Sequence, residues 1–185
     1  RTPNGLSLFY LSSALIRTRQ IDEALELLDG WVADHPEDGL ALTQLGSLRA
    51  VRGEDALAAQ AYEVLVEKYP DDLIAVNNLA WSLRETDTPR ALELVDRALQ
   101  AAPESPAILD TKAVVLMHAG EYDEALATLD RVVEAAGDNR PLSFHRAQVL
   151  AAAGQVDEAR SILEGLVAGP AFPEQRQAAV LLESL

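Results

Sequence analysis

"GEYDEALATLDRVV" (residues 120–133) and "GQVDEARSILEGLV" (residues 154–167) align without a gap: Gly120 with Gly154, Asp123 with Asp157 and Ala125 with Ala159, each pair 34 residues apart. The same alanine recurs upstream as Ala91, Ala58 and Ala24, at steps of 34, 33 and 34 residues. Four residues after each alanine stands a large apolar residue: Leu28, Tyr62, Val95, Leu129 and Leu163. A period of this size, kept five times, describes supersecondary units that cannot bury their apolar faces alone and must stack. Pro36, Pro70 and Pro103 stand twelve residues after the first three alanines. A proline there stops a helix and holds the residue before it extended.

Within a repeat the apolar spacing is helical. In the second repeat Leu42, Leu45, Leu48 and Val51 lie three apart, Gly53 interrupts, and Ala58, Ala61, Tyr62, Leu65 and Val66 resume one face. Each repeat therefore reads as two short antiparallel helices. The glycine suits the left-handed turn after the first helix, and Asp55, Asp123 or Asp157 places negative charge at the start of the second. The predicted pairs are 6–19 and 21–34, 39–52 and 55–68, 73–85 and 89–101, 106–119 and 122–135, and 141–153 and 156–167. A final amphipathic segment, residues 173–185, covers the apolar end of the array. The third repeat is one residue short at its turn: Ala80 to Ala91 spans eleven residues where Ala113 to Ala125 spans twelve, and "DTPRAL" replaces the glycine, with Thr88 expected as the cap and Pro89 at the first helical position.

At 185 residues the chain is long enough for one sizeable core or a short array. Apolar residues make up 49%, charged residues 24% and aromatics 5%, so the core must be built from Ala, Leu and Val. Fifteen Lys and Arg against 30 Asp and Glu give a net charge of −15, which argues against nucleic acid or an anionic membrane as partner. No apolar run approaches the ~18 residues of a membrane span. The absence of cysteine excludes disulfides and thiolate metal sites and leaves the compartment open. A chain that opens on Arg1 reads as a piece of a longer one, with any leader or lipid anchor outside it.

The repeats resemble the tetratricopeptide repeat family, whose pattern is W-x2-L-G-x2-Y, A-x3-F, then P. The second repeat matches through Leu42, Leu45, Gly46, Ala58, Tyr62 and Pro70, and the fourth through Leu109, Ala113, Leu116, Gly120, Tyr122, Ala125 and Leu129. The resemblance implies an all-α right-handed solenoid of five repeats, about 5–38, 39–72, 73–105, 106–139 and 140–173, plus a capping helix at 174–185, in one array over 1–185. Small residues (Ser12, Gly46, Ala80, Ala113, Ala147) would let each first helix approach its neighbours. More narrowly, "NNLAW", "PRALELVDRAL" and "FHRAQVLAAAG" are similar to the repeats of bacterial exosortase- and exopolysaccharide-associated tetratricopeptide proteins. That likeness implies a periplasmic or outer-membrane scaffold in envelope polysaccharide assembly.

No catalytic constellation is legible. His35, His118 and His145 belong to different repeats, no H-E-x-x-H or G-x-S-x-G occurs, and the single glycines of "RGEDALAA" and "AGEYDEAL" are turn residues. Neither a metal nor another cofactor is expected. Recognition remains. In the family the first helices line a groove, and that projection selects Phe9, Ser13, Ile16, Arg17, Thr43, Ser47, Ala50, Asn77, Trp81, Arg84, Asp110, Val114, Met117, His118, Phe144 and Gln148. Asn offers main-chain hydrogen bonds, Trp area and Arg a carboxylate partner. Trp81 reads also as a filler between repeats, Arg84 as a surface partner of Glu85 or Asp87, and the Asn77–Asn78 pair as a bridge between helices.

The function expected is therefore a non-enzymatic scaffold that binds a protein or peptide. The alternatives are a carbohydrate-associated module with sugars stacked on Trp81 and Phe144, a regulatory module of a larger enzyme, and a homo-oligomer formed through exposed repeat ends such as "GLSLFYLSSAL".

Overall fold

The computed structural model describes the backbone of residues 5–136 and 139–185, with side chains throughout except at 133–136. Among the described residues there are eleven α-helices and no strand: α1 (Gly5–Arg17), α2 (Ile21–Asp34), α3 (Gly39–Val51), α4 (Asp55–Lys68), α5 (Leu73–Leu83), α6 (Thr88–Ala101), α7 (Pro106–Ala119), α8 (Tyr122–Ala136), α9 (Arg140–Ala152), α10 (Val156–Ala168) and α11 (Gln175–Ser184). Every helix expected from the periodicity is present, with ends displaced by two residues or fewer.

The periodic positions explain why. Ala24, Ala58, Ala91, Ala125 and Ala159 are all fully buried, and the residues four further on are at most 2% exposed. The small first-helix residues Ser12, Ala80, Ala113 and Ala147 are equally closed off from solvent. At Gly46 the reason for smallness is explicit: a Cβ there would lie 2.7 Å from Cζ of Tyr62. The Tyr62 ring thus fills the side-chain space that Gly46 leaves free, and its hydroxyl shares a 3.1 Å hydrogen bond with Ser47.

The turns carry the same signature. Before Pro36, Pro70 and Pro103, residues His35, Tyr69 and Ala102 adopt nearly one conformation, φ −134, −129 and −138° with ψ 66, 71 and 71°. Each also donates its backbone N–H to the carbonyl four residues back. Asp38 and Asp72 then cap α3 and α5 by accepting backbone N–H groups. Asp38 additionally accepts from Trp31 Nε1 at 2.9 Å, and the Trp31 indole stacks on His35 with centroids 3.9 Å apart. Inside the hairpins Gly53, Gly120 and Gly154 take the left-handed turn at φ 73, 81 and 79°, whereas in the first repeat Arg19 occupies that conformation at φ 62°. The shortened third turn differs from expectation. Asp87, not Thr88, caps α6 by accepting from Arg90 N at 3.3 Å. The Thr88 hydroxyl donates backward to the Arg84 carbonyl at 2.9 Å, so it is not free to cap.

The chain divides into two compact units. The N-terminal unit, residues 1–83, holds α1–α5 around Leu8, Leu25, Leu28, Leu45 and Leu48. The C-terminal unit, residues 84–185, holds α6–α11 around Leu109, Leu116, Leu129, Val132, Leu142 and Val149. A further cluster in that unit joins Phe144, Ala147, Leu163 and Leu166 to Ala178 of α11. There α9 packs on α7, α8 and α10, and α11 packs on α10 while sharing an apolar cluster with Phe144 and Ala147 of α9.

Two substitutions test this packing, read by urea unfolding. Arg19→Gly relieves a left-handed residue and should raise stability by about 1 kcal/mol. Gly46→Ala forces the Tyr62 ring aside and should lower it by roughly 1–3 kcal/mol. A Gly46→Ala protein as stable as the parent would mean that the ring contact does not constrain the helix pair.

Candidate functional site

On the N-terminal unit, α1 presents Phe9, Ser13 and Ile16 half-buried and Arg17 exposed. Thr43 and Ser47 are exposed on α3, Ala50 is half-buried, and Asn77 and Trp81 lie half-buried on α5. Several of these polar groups already have partners. Gln44 Nε2 donates to Ser13 at 2.9 Å, while Ser12 donates to Gln44 Oε1 at 2.6 Å. The Thr43 hydroxyl donates to the Gly39 carbonyl within its own helix. Asn77 is different: its Oδ1 is buried and has no hydrogen-bond partner.

On the C-terminal unit, two projected groove residues prove to be core. Val114 and Phe144 are each 3% exposed, because the apolar contacts of α7 and α9 extend further round the helix than one face. The Phe144 ring meets the Phe172 ring edge-on at 6.3 Å beneath α11. Asp110 is held at 2.7 Å by His145 Nδ1, so its carboxylate serves the α7–α9 contact. Arg84 lies 3.6 Å from Glu85, whose carboxylate is 3.8 Å from His118 Nε2. Desolvation pushes the His118 pKa below the ordinary histidine value, and Arg84 adds to that lowering while Glu85 opposes it. Among the described residues no three His, Asp or Glu side chains are grouped so as to hold a metal ion. Among them, too, no helix is long and apolar enough to cross a membrane.

Met117 and Gln148, both half-buried, come together at an open cleft of about 790 Å³. Ala151 and Ala152 of α9 and Arg176, Val180 and Leu181 of α11 also line it, and it reaches Phe144. The cleft lies along the α9 and α11 faces, above the apolar cluster that the two helices share. Among the described residues that line it, only Arg176 has a charged side chain.

The projection missed a second register. The residue two before the small residue reaches back toward the preceding repeat in three repeats, Gln44 to Ser12 and Ser13, Asn78 to Tyr62, and His145 to Asp110, whereas Thr111 bonds to the Ala107 carbonyl of its own helix. A second regularity is the acidic residue five after each buried alanine: Asp29, Glu63, Asp96, Asp130 and Glu164. Three of these pair with bases on the next first helix, Asp29 with Arg49, Asp96 with Lys112 at 2.9 Å and Asp130 with Arg146 at 3.2 Å. Both regularities are visible in the sequence once the repeats are aligned, at positions other than the apolar ones.

Sequence-family models described as tetratricopeptide repeat match residues 11–73 and 82–143. A stretch of 118 residues is 30% identical to the protein FlbA of Caulobacter vibrioides, covering 63% of this chain and 20% of that protein. The chain thus spans about a fifth of that relative's length. Among solved structures, TTC0263, a thermophilic tetratricopeptide protein of Thermus thermophilus, superposes with a TM-score of 0.74 at 21% identity over 97% of both chains. YrrB, described as a tetratricopeptide protein with an unusual peptide-binding site, gives 0.61 at 15% identity, covering 98% of this chain and 93% of that one. At these identities the likeness is one of fold.

The lowered pKa of His118 has a pH consequence. Its neutral form is favoured by folding, so its contribution is present above the ordinary value of 6.5 and is lost as pH falls through the lowered folded value. Urea midpoints measured between pH 7.5 and 5 should decline less steeply for His118→Gln than for the parent. Parallel declines in the two proteins would remove His118 from the account.

Proposed function

We propose that this chain, which belongs to the tetratricopeptide repeat family, is a non-catalytic scaffold that captures a segment of a partner protein on the faces of its first helices. The observation that carries the reading is the α9–α11 cleft. Its volume of about 790 Å³ lies within the range of ligand-binding pockets, and its walls are mainly apolar with a few polar side chains. Such a surface suits an apolar anchor from a partner, with Gln148 and Arg176 fixing orientation. On the N-terminal unit, half-buried Phe9 and Trp81 supply aromatic area, and half-buried Asn77 supplies a side-chain amide. Arg17, Arg84, Asp110, Met117 and His118 complete the set assigned to recognition, with Asp110 acting through its bond to His145. The description of YrrB as having a peptide-binding site agrees with this class of ligand.

The sugar-stacking alternative loses one of its two platforms, since the Phe144 ring is 3% exposed. The segment resemblance sets the proposed partner in bacterial envelope polysaccharide assembly, a setting that requires a signal peptide or lipobox upstream in the parent gene.

Panning a random 12-residue peptide library on the purified chain tests the capture reading. Selected peptides should lose roughly tenfold or more in affinity on Trp81→Ala or Met117→Ala. They should be indifferent to Glu93→Ala and Arg97→Ala on the exposed face of α6. Peptides that follow the α6 substitutions instead would place recognition on the second helices and refute the reading.

A further inference from the structure

Resting on the peptide-capture reading, we infer that the α9–α11 cleft selects an apolar segment that carries a carboxylate, and that Arg176 is the residue that reads that charge. The molecule has a net charge of −15, yet among the described residues none of the side chains lining this cleft is acidic. Arg176 is exposed on the wall, and neither it nor Gln148 has a side-chain partner among the described residues. Several bases elsewhere in the chain are engaged, Arg49 with Asp29 and Glu54, Lys68 with Glu37, Lys112 with Asp96, and Arg146 with Asp130, and what sets Arg176 apart is its place on the cleft wall. A guanidinium on an apolar wall, with no Asp or Glu side chain lining the cleft beside it, is set up to take a carboxylate from outside. Screening confines the repulsion from distant carboxylates to about 8 Å at physiological ionic strength, so the charge next to the ligand decides.

The walls give the rest of the ligand's chemistry. Ala151 and Ala152 leave room for large side chains, and Val180 is 61% exposed in the absence of an occupant. The occupant is a partner protein rather than a second copy of this chain. One apolar face that a second copy would offer, Leu6, Tyr10 and Leu11 on α1, lies on a helix with no Asp or Glu that ends in Arg17. Docked in the cleft, that helix would bring a like charge toward Arg176 and leave the guanidinium without a carboxylate.

The test uses the full chain and an array of synthetic 12-residue peptides with two Leu three or four positions apart and Glu, Gln or Lys placed in turn at each other position. Glu peptides should bind roughly tenfold more tightly than their Lys counterparts. Arg176→Glu should reverse that order, Arg176→Lys should retain it, and Val180→Asp should abolish binding with the thermal melt unchanged, because Val180 is a surface residue. Equal binding of Glu and Lys peptides, or an order that survives Arg176→Glu, overturns the inference. Peptides that bind Val180→Asp normally but are lost on Trp81→Ala overturn it while leaving the capture reading in place, and retention of no peptide counts against both. Self-association in sedimentation that Val180→Asp abolishes, without peptide selectivity, would assign the cleft to a second copy and also overturn it.

Discussion

Two helices lie close along their flanks only where the side chains at their crossing are small. Every repeat supplies such residues: Ser12, Gly46, Ala80, Ala113 or Ala147 on the first helix and Ala24, Ala58, Ala91, Ala125 or Ala159 on the second. Close approach lets the large residue four positions on, such as Tyr62 or Leu129, reach full burial without displacing backbone. A core with few aromatics can then reach native density from Ala, Leu and Val. The turn glycines, the prolines and the aspartate caps follow from the same condition, because each hairpin must reverse within a few residues for the next small pair to come into register.

Burial alone leaves the stack free to slide, since apolar contact is non-directional. Directional groups fix the register. Gln44, Asn78 and His145 hydrogen-bond back across the repeat boundary, and Asp29, Asp96 and Asp130 meet Arg49, Lys112 and Arg146 on the following helix. The exposed ion pairs contribute little energy each, typically about 0–1 kcal/mol, and their value lies in the geometry they reject. The same condition accounts for the partners of Ser13 and Asp110, polar residues near the small position that bind the neighbouring repeat.

An open cleft is left where the packing does not close. In the C-terminal unit α9 packs against α7, α8 and α10, and an open cleft remains along its face beside α11. Met117 and Gln148 line that cleft, and Phe144 owes its burial to the contact of α11 with the cluster around Leu163. The placement of one helix therefore decides which of three projected residues line the cleft half-buried and which is buried.

The sequence by itself determined the helices, their order, the repeat and the family, because each depends on spacing along the chain: 34 residues between repeats, twelve from alanine to proline, three or four between apolar neighbours. It also carried the left-handed turn in Gly53, Gly120 and Gly154, a local property of the backbone. Tertiary structure alone decided that Asp87 rather than Thr88 caps α6, that His145 takes the carboxylate of Asp110, and that Arg176 stands on the wall of a cleft lined by no Asp or Glu. Those outcomes depend on which side chain arrives first at a polar group and on how far two helices separate, and distances between elements are not written in the spacing of residues within them.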